Sequence, residues 1–252
     1  MGKIERFTVE IRGEPRIIRV YLPNDLNKRY PVLYMHDGHN LFDIEASYGK
    51  AVWDVHTTLD AIETQYQKNI IVVGIDCHPQ KRCTEYSPWE RKNNPLVKDD
   101  LGGGGEEYVN WIVTTLKPLI DERYPTLPDE TSLAGSSMGG LISLYAGYRY
   151  PKIFKAVGCF SSAFWFSSKE IFAFVKTNHV PKIRVYLDAG KKESNKLFYR
   201  IRYANDTIRM GKLLRKLGTT DLKVEIDKNG IHHESAWRKR FTLFIRWLLK
   251  IA

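Results

Sequence analysis

The chain has 252 residues, 43% of them apolar and 27% charged, enough for a sizeable buried core in one large domain or two small ones. No window approaches the roughly 20 consecutive apolar residues of a membrane-spanning helix, and the N-terminus lacks the apolar stretch of a signal peptide, so a cytoplasmic location is expected. The net charge of +10 admits an anionic partner. However, the densest basic stretch, Lys191 to Arg215, lacks the interleaved aromatics of a nucleic-acid site, so no nucleic-acid partner is expected. Three cysteines, Cys77, Cys83 and Cys159, form neither a disulfide framework nor a zinc pattern.

Residues 4–11 and 16–22, split by Gly13-Glu14-Pro15, read as an opening β-hairpin. Pro31–Met35 is a short apolar strand that leads into His36-Asp37-Gly38. Residues 53–66 have helical spacing, and 70–75 is a continuous apolar run of the kind a parallel strand buried on both faces requires. The polar stretch 76–105 then lacks an obvious element, and loops of that length are commonly functional. A helix at 106–123, a strand at 131–134, a turn at 135–140 and a helix to Tyr150 follow. Next come a strand at 156–160, a helix at 168–176, a strand at 183–188, a helix at 203–217, a strand at 222–227 and a helix at 236–250. This alternation predicts an α/β fold with a mostly parallel twisted sheet covered by helices on both faces, all in a single domain spanning 1–252.

Gly135-Ser136-Ser137-Met138-Gly139 fits G-x-S-x-G, with Ser137 at the centre, where a strand passes into an apolar helix. That chemistry needs a nucleophile raised on a strained turn, with glycines two residues away on either side. The following helix also points its positive end at developing negative charge. A serine hydroxyl is a poor nucleophile until an imidazole takes its proton, and in this chain order the histidine follows the last strand. Residues 227–237 offer His232 and His233 there; His179 and His56 are weaker candidates. The acid belongs after the strand at 183–188, where Asp188 and Glu193 both stand, with Asp227 a third possibility. Met138 supplies one oxyanion N–H, and the loop His36 to His39 supplies the other.

Five segments together carry a resemblance: Tyr34–Asp43, Arg82–Pro88, Gly135–Leu141, Tyr186–Glu193 and His233–Trp237. The chain resembles the putative-esterase family of α/β-hydrolases, which includes enterochelin, feruloyl and acetylxylan esterases and S-formylglutathione hydrolase. The resemblance implies an α/β-hydrolase fold and a Ser-Glu-His triad with no cofactor and no metal. It selects His233 as base, because tryptophan follows the family's histidine by four residues, and Glu193 as acid. It also assigns the second oxyanion N–H to His39. The expected function is serine carboxylic-ester hydrolysis of a small-molecule ester through an acyl-enzyme. The alternatives are acyl transfer from the same intermediate or a non-catalytic binding protein on the same fold. Tyr86, Trp89 and Trp165 offer aromatic surface for a substrate, while Arg82, Lys191 and Lys192 could attract an anionic group. His36, Asp37 and His39, with His232, His233 and Glu234, could collect a metal only in a loose arrangement, and the serine chemistry leaves a metal without a task.

Overall fold

In the computed structural model, residues 1–91 and 101–251 are described. Strands β1 (Lys3–Ile11) and β2 (Glu14–Leu22) form the antiparallel hairpin that the Gly13 turn predicts. Strand β3 (Tyr30–His36) is followed by a single 3-10 turn at Gly38–Asn40. Helix α1 (Val55–Tyr66), strand β4 (Ile71–Ile75) and the one-turn helix α2 (Arg82–Glu85) come next. The predicted helix 106–123 forms as α3 (Gly105–Trp111), a π-type turn at Ile112–Leu116, and α4 (Lys117–Arg123). Strand β5 (Thr126–Ser136) and helix α5 (Met138–Arg149) flank Ser137. Strand β6 (Phe154–Phe160), helix α6 (Ser168–Asn178), strand β7 (Arg184–Lys192) and helix α7 (Leu197–Lys216) follow. Strand β8 (Leu222–Ile231) and helix α8 (Glu234–Leu248) close the chain.

The eight strands form one sheet in the order β1-β2-β4-β3-β5-β6-β7-β8. β2 pairs antiparallel with both β1 and β4, and every pair from β4 through β8 is parallel. Helix-covered parallel strands must bury both faces, and all five residues of β4 are buried. Alternate residues of β3 enter opposite cores: Val32 and Tyr34 pack on one side, Leu33 and Met35 on the other. The first core contains Tyr108, Ile112, Leu141, Phe164 and Met210, from the helices between β4 and β8. The second is built from Trp53, Leu59, Trp237, Phe241 and Phe244, placing α1 and α8 on the other face. This is the α/β-hydrolase architecture.

β5, β7 and β8 run further than hydrophobic patterning predicts, and the extensions of β7 and β8 matter for the site. β7 continues past Asp188 to Lys192, and β8 continues past Asp227 to Ile231, with Lys192 paired to Ile231 across a register shift. Beyond the buried Ala189 and Gly190, the tips consist mostly of exposed residues such as Lys191, Lys192, Lys228 and Asn229, so they carry no apolar periodicity that would mark a strand. Helix α7 also begins six residues before the predicted 203, because its first turn carries exposed Leu197, Phe198 and Ile201 rather than a buried stripe.

Candidate active site

Ser137 stands between the end of β5 and the start of α5 with φ 57° and ψ −120°, a region costly for a residue bearing a Cβ. Neighbouring backbone holds the turn on both sides. The Ser137 amide donates to the Phe160 carbonyl at 2.9 Å, and its carbonyl accepts from the Ala163 amide at 2.9 Å. The glycines follow from the sharpness of the corner. A Cβ on Gly135 would lie 2.8 Å from the backbone carbon of Gly139. Met138 opens α5, so its amide, like every first-turn amide, has no intrahelical acceptor.

The loop after β3 packs directly on this corner: a Cβ on Gly139 would stand 3.2 Å from that of His36. Asp37 occupies left-handed space at φ 57° and starts the 3-10 turn that carries His39. Arg82 clamps it, with Nε and Nη2 each donating to one Asp37 oxygen at 2.7 Å. Burial pushes the Asp37 carboxyl up, but the Arg82 guanidinium outweighs it and leaves the group below the usual carboxylate range. His36 is fully buried, and its Nδ1 is 2.9 Å from the Tyr108 hydroxyl. Burial pulls its pKa down to about 3, with Asp37 opposing and Arg82 assisting, so the imidazole is neutral. The His39 side chain lies against Tyr48, ring centroids 4.3 Å apart, in a groove shared with Arg16, Arg19 and Cys77.

The β7–β8 pairing decides which histidine meets Glu193. In a parallel pair, residues that follow a matched pair emerge side by side. Lys192 is matched with Ile231, so Glu193 and His232 leave the sheet together. His232 Nδ1 lies 2.8 Å from Glu193 Oε2. His233 therefore does not take the expected place beside the acid, and the assignment based on counting back from Trp237 is corrected. His233 instead caps α8. Its Nδ1 accepts from the Ser235 amide at 3.3 Å and lies 2.9 Å from the Ser235 hydroxyl. The His232 ring is held between Tyr203, with centroids 4.7 Å apart, and the edge of Trp237 at 5.0 Å.

The strand tips can reach this far only because glycines line their contact. A Cβ on Gly190 would overlap the Gly230 carbonyl, and the Gly190 amide donates a short hydrogen bond to Glu193 Oε1. The same Glu193 oxygen accepts from the Ser161 hydroxyl at 2.5 Å. Asp188 accepts from Arg240 Nη1 at 2.7 Å. Asp227 accepts from the Asn229 amide at 2.8 Å, within the end of β8.

His232, Glu193, Ser194, Trp165, Tyr199 and Tyr203 line a shallow depression of 250 Å³. Tyr203, on the wall of the depression, also has Ser137 and Trp165 among its electrostatic neighbours. Of the three aromatics expected to contact substrate, only Trp165 lies here. Tyr86 is fully buried, and its hydroxyl accepts from the Asp37 amide at 3.2 Å, a role in shaping the loop. Trp89 packs edge-on against Tyr145 and Phe174. The expectation for Tyr86 is corrected, because a fully buried side chain has no free face for a substrate, while the partly buried Trp89 lies outside this depression. Part of the expected 76–105 wall, residues 92–100, lies outside the described residues.

Sequence reasoning missed Tyr203, Ser161 and Arg240. Arg240 did leave a signal: it sits between Trp237 and Phe244 at helical spacing on a buried face of α8, where an unpaired cation would be costly. Among the described residues, Asp37, His39 and Cys77 bring one donor atom each within 4.8 Å of one another. Both Asp37 oxygens are already engaged by Arg82, and the Cys77 thiol is pushed well up by burial. No helix among the described residues is long and apolar enough to cross a membrane.

Known proteins resemble the chain over nearly its whole length. The chain is 26% identical to the Bacillus subtilis protein YbbA over 247 residues, 95% of this chain and 94% of that one. It is 27% identical over 197 residues to the siderophore triacetylfusarinine C esterase of Aspergillus fumigatus, covering 70% of this chain and 62% of the relative. The BES protein from Bacillus cereus superposes with a TM-score of 0.79 at 18% identity, covering 98% of this chain and 96% of that one. A family model described as "Putative esterase" matches residues 10–248, from the opening hairpin to the end of α8, and the chain belongs to that family.

Proposed function

We propose that this protein is a serine carboxylic-ester hydrolase that works through an acyl-enzyme on Ser137, with His232 as general base and Glu193 as its acid partner. The observation that carries the reading is the 2.8 Å contact between His232 Nδ1 and Glu193 Oε2 in a depression whose wall includes Tyr203, a neighbour of Ser137. A carboxylate on Nδ1 fixes that nitrogen as the donor and leaves Nε2 with its lone pair free for a serine proton. Ser137 Oγ attacks the ester carbonyl as His232 takes the hydroxyl proton. The Met138 and His39 amides donate to the oxyanion. The C–O bond to the leaving alcohol then breaks, and His232 returns the proton to it. Water, deprotonated by the same imidazole, attacks the acyl-enzyme and releases the acid. Membership of the esterase family supports hydrolysis as the outcome. The one sheet shared by all eight strands supports reading the chain as a single domain.

Acyl transfer shares the first half of this cycle and differs only in the acceptor. The name of the Aspergillus relative makes siderophore esters natural members of a substrate panel. The test combines hydrolysis of such a panel with labelling by a serine-reactive fluorophosphonate. Labelling and p-nitrophenyl acetate turnover are expected in the wild type and absent in Ser137→Ala. Undiminished turnover in Ser137→Ala would overturn the assignment, and acyl products formed on an added alcohol in preference to water would reassign the reaction to transfer.

A further inference from the structure

Behind Glu193 lies a second, completely buried set of polar groups that the hydrolytic cycle does not use. Ser161 follows β6 in left-handed space at φ 41°, and Arg240 projects from the buried face of α8. The Ser161 hydroxyl has one proton and two lone pairs. All three are engaged: it donates to Glu193 Oε1 at 2.5 Å and accepts from Trp237 Nε1 at 2.9 Å and Arg240 Nη2 at 3.1 Å. The Arg240 guanidinium spans the two carboxylates, bonding Asp188 Oδ1 at 2.7 Å while Nη2 stands 3.8 Å from Glu193 Oε1. Asp188 also accepts from the Ser161 amide at 3.3 Å, and its second oxygen has no partner.

We propose that Arg240 is a positioning residue for the hydrolytic site: with Asp188 as its counter-charge, it holds Ser161 and Glu193 and sets how strongly Glu193 supports the His232 imidazole. The inference rests on the Ser137–His232–Glu193 reading and deepens it. One buried cation shared by two carboxylates divides its field between them, so the charge on Asp188 determines how much of the guanidinium field reaches Glu193. With Asp188 ionised, Arg240 is largely neutralised, and Glu193 acts at full strength on His232. With Asp188 neutral, the guanidinium charge is uncompensated and opposes protonation of the imidazole. Burial pushes the Asp188 pKa up to about 7, with Arg240 pulling down and Glu193 and Asp227 pushing up. The groups that face it are Arg240 from α8, Glu193 beyond β7, Asp227 from β8, Tyr186 on its own strand and Cys159 from β6.

The test compares the wild type with Asp188→Asn, Arg240→Lys, Arg240→Gln and the charge-neutral double variant Asp188→Asn/Arg240→Gln. Two readouts are followed across pH: kcat/KM on p-nitrophenyl acetate, and the titration midpoint of the isotope-labelled His232 imidazole. Asp188→Asn is expected to move both midpoints to lower pH by about half a unit to one unit, the effect of one uncompensated nearby charge. The double variant is expected to bring them back toward wild type. Arg240→Gln is expected to lower kcat by about 10–100-fold with KM little changed, and Arg240→Lys to recover part of the loss. Should Arg240→Gln fail to fold, the double variant, which buries no lone charge, still decides the matter. Unmoved midpoints in Asp188→Asn overturn the proposal. Activity retained in His232→Ala overturns the hydrolytic reading instead, and the imidazole titration is readable in the wild type and the network variants whatever that outcome.

Discussion

His232 Nδ1 and Glu193 Oε2 stand 2.8 Å apart although 39 residues separate them in the chain, while His233, one residue further on, turns outward to cap α8. The division of labour between adjacent histidines follows from the Lys192–Ile231 pairing, which releases residues 193 and 232 at the same level of the sheet. Opposite outcomes are therefore expected for two neighbouring substitutions. His232→Ala should lower kcat by about 10³-fold or more with the fold intact. His233→Ala should leave kcat within a few-fold and cost about 1 kcal/mol of stability through the lost cap. Steady-state kinetics and urea denaturation of both variants check this, and the reverse pattern would return the base to His233.

Glu193→Gln keeps the shape of the side chain but replaces one acceptor oxygen with an NH2 group. An amide oriented to accept at Oε1 from Gly190 and Ser161 would present its NH2 to His232 and favour the wrong tautomer. A fall in kcat of about 10²–10⁴-fold is expected, by analogy with carboxylate-to-amide changes in other triads. KM should change little. Rapid-quench measurement of acylation would place the loss in the chemical step, and a loss confined to KM would count against the role.

Gly190 is tested by Gly190→Ala. The added methyl meets the Gly230 carbonyl, which is backbone and cannot rotate away, so the tips of β7 and β8 must part. A loss of about 1–3 kcal/mol is expected in the urea midpoint. The catalytic loss should exceed the fraction unfolded, because Glu193 and His232 sit just beyond the separated pair. Wild-type kcat in the folded variant would show that the strand tips do not set the geometry.

His36 gives a pH prediction with a definite sign. Its folded value lies at about 3 against an ordinary 6.5, because burial disfavours the charged ring. A depressed histidine contributes stability that is fully present above pH 6.5 and lost as pH falls from there toward 3. Wild-type thermal midpoints should thus decline on acidification across this window. His36→Gln should be less stable at pH 7, having lost its packing against Tyr86 and Tyr108, yet show a shallower decline. Parallel slopes for the two proteins would exclude His36 as a contributor.

The architecture and the strained corner at Ser137 were legible in the amino-acid sequence because both leave local marks. Apolar runs such as Ile71–Ile75 declare buried parallel strands, and the glycines around Ser137 declare a corner that tolerates no side chain at those positions. The proposed acid was narrowed to a few candidates for the same reason, since Asp188 ends and Glu193 follows a recognisable strand. The choice between His232 and His233 was not legible, because it depends on the register of two exposed strand tips that have no hydrophobic periodicity. Nor did the sequence reveal that Tyr86 and Trp89 are packed, that Tyr203 from a distant helix is a neighbour of Ser137, or that Arg240 and Ser161 stand behind Glu193. Local pattern reports which face of an element is buried, whereas a hydrogen-bonded cluster drawn from β6, β7, β8 and α8 exists only once long-range pairing has brought those elements to one edge of the sheet.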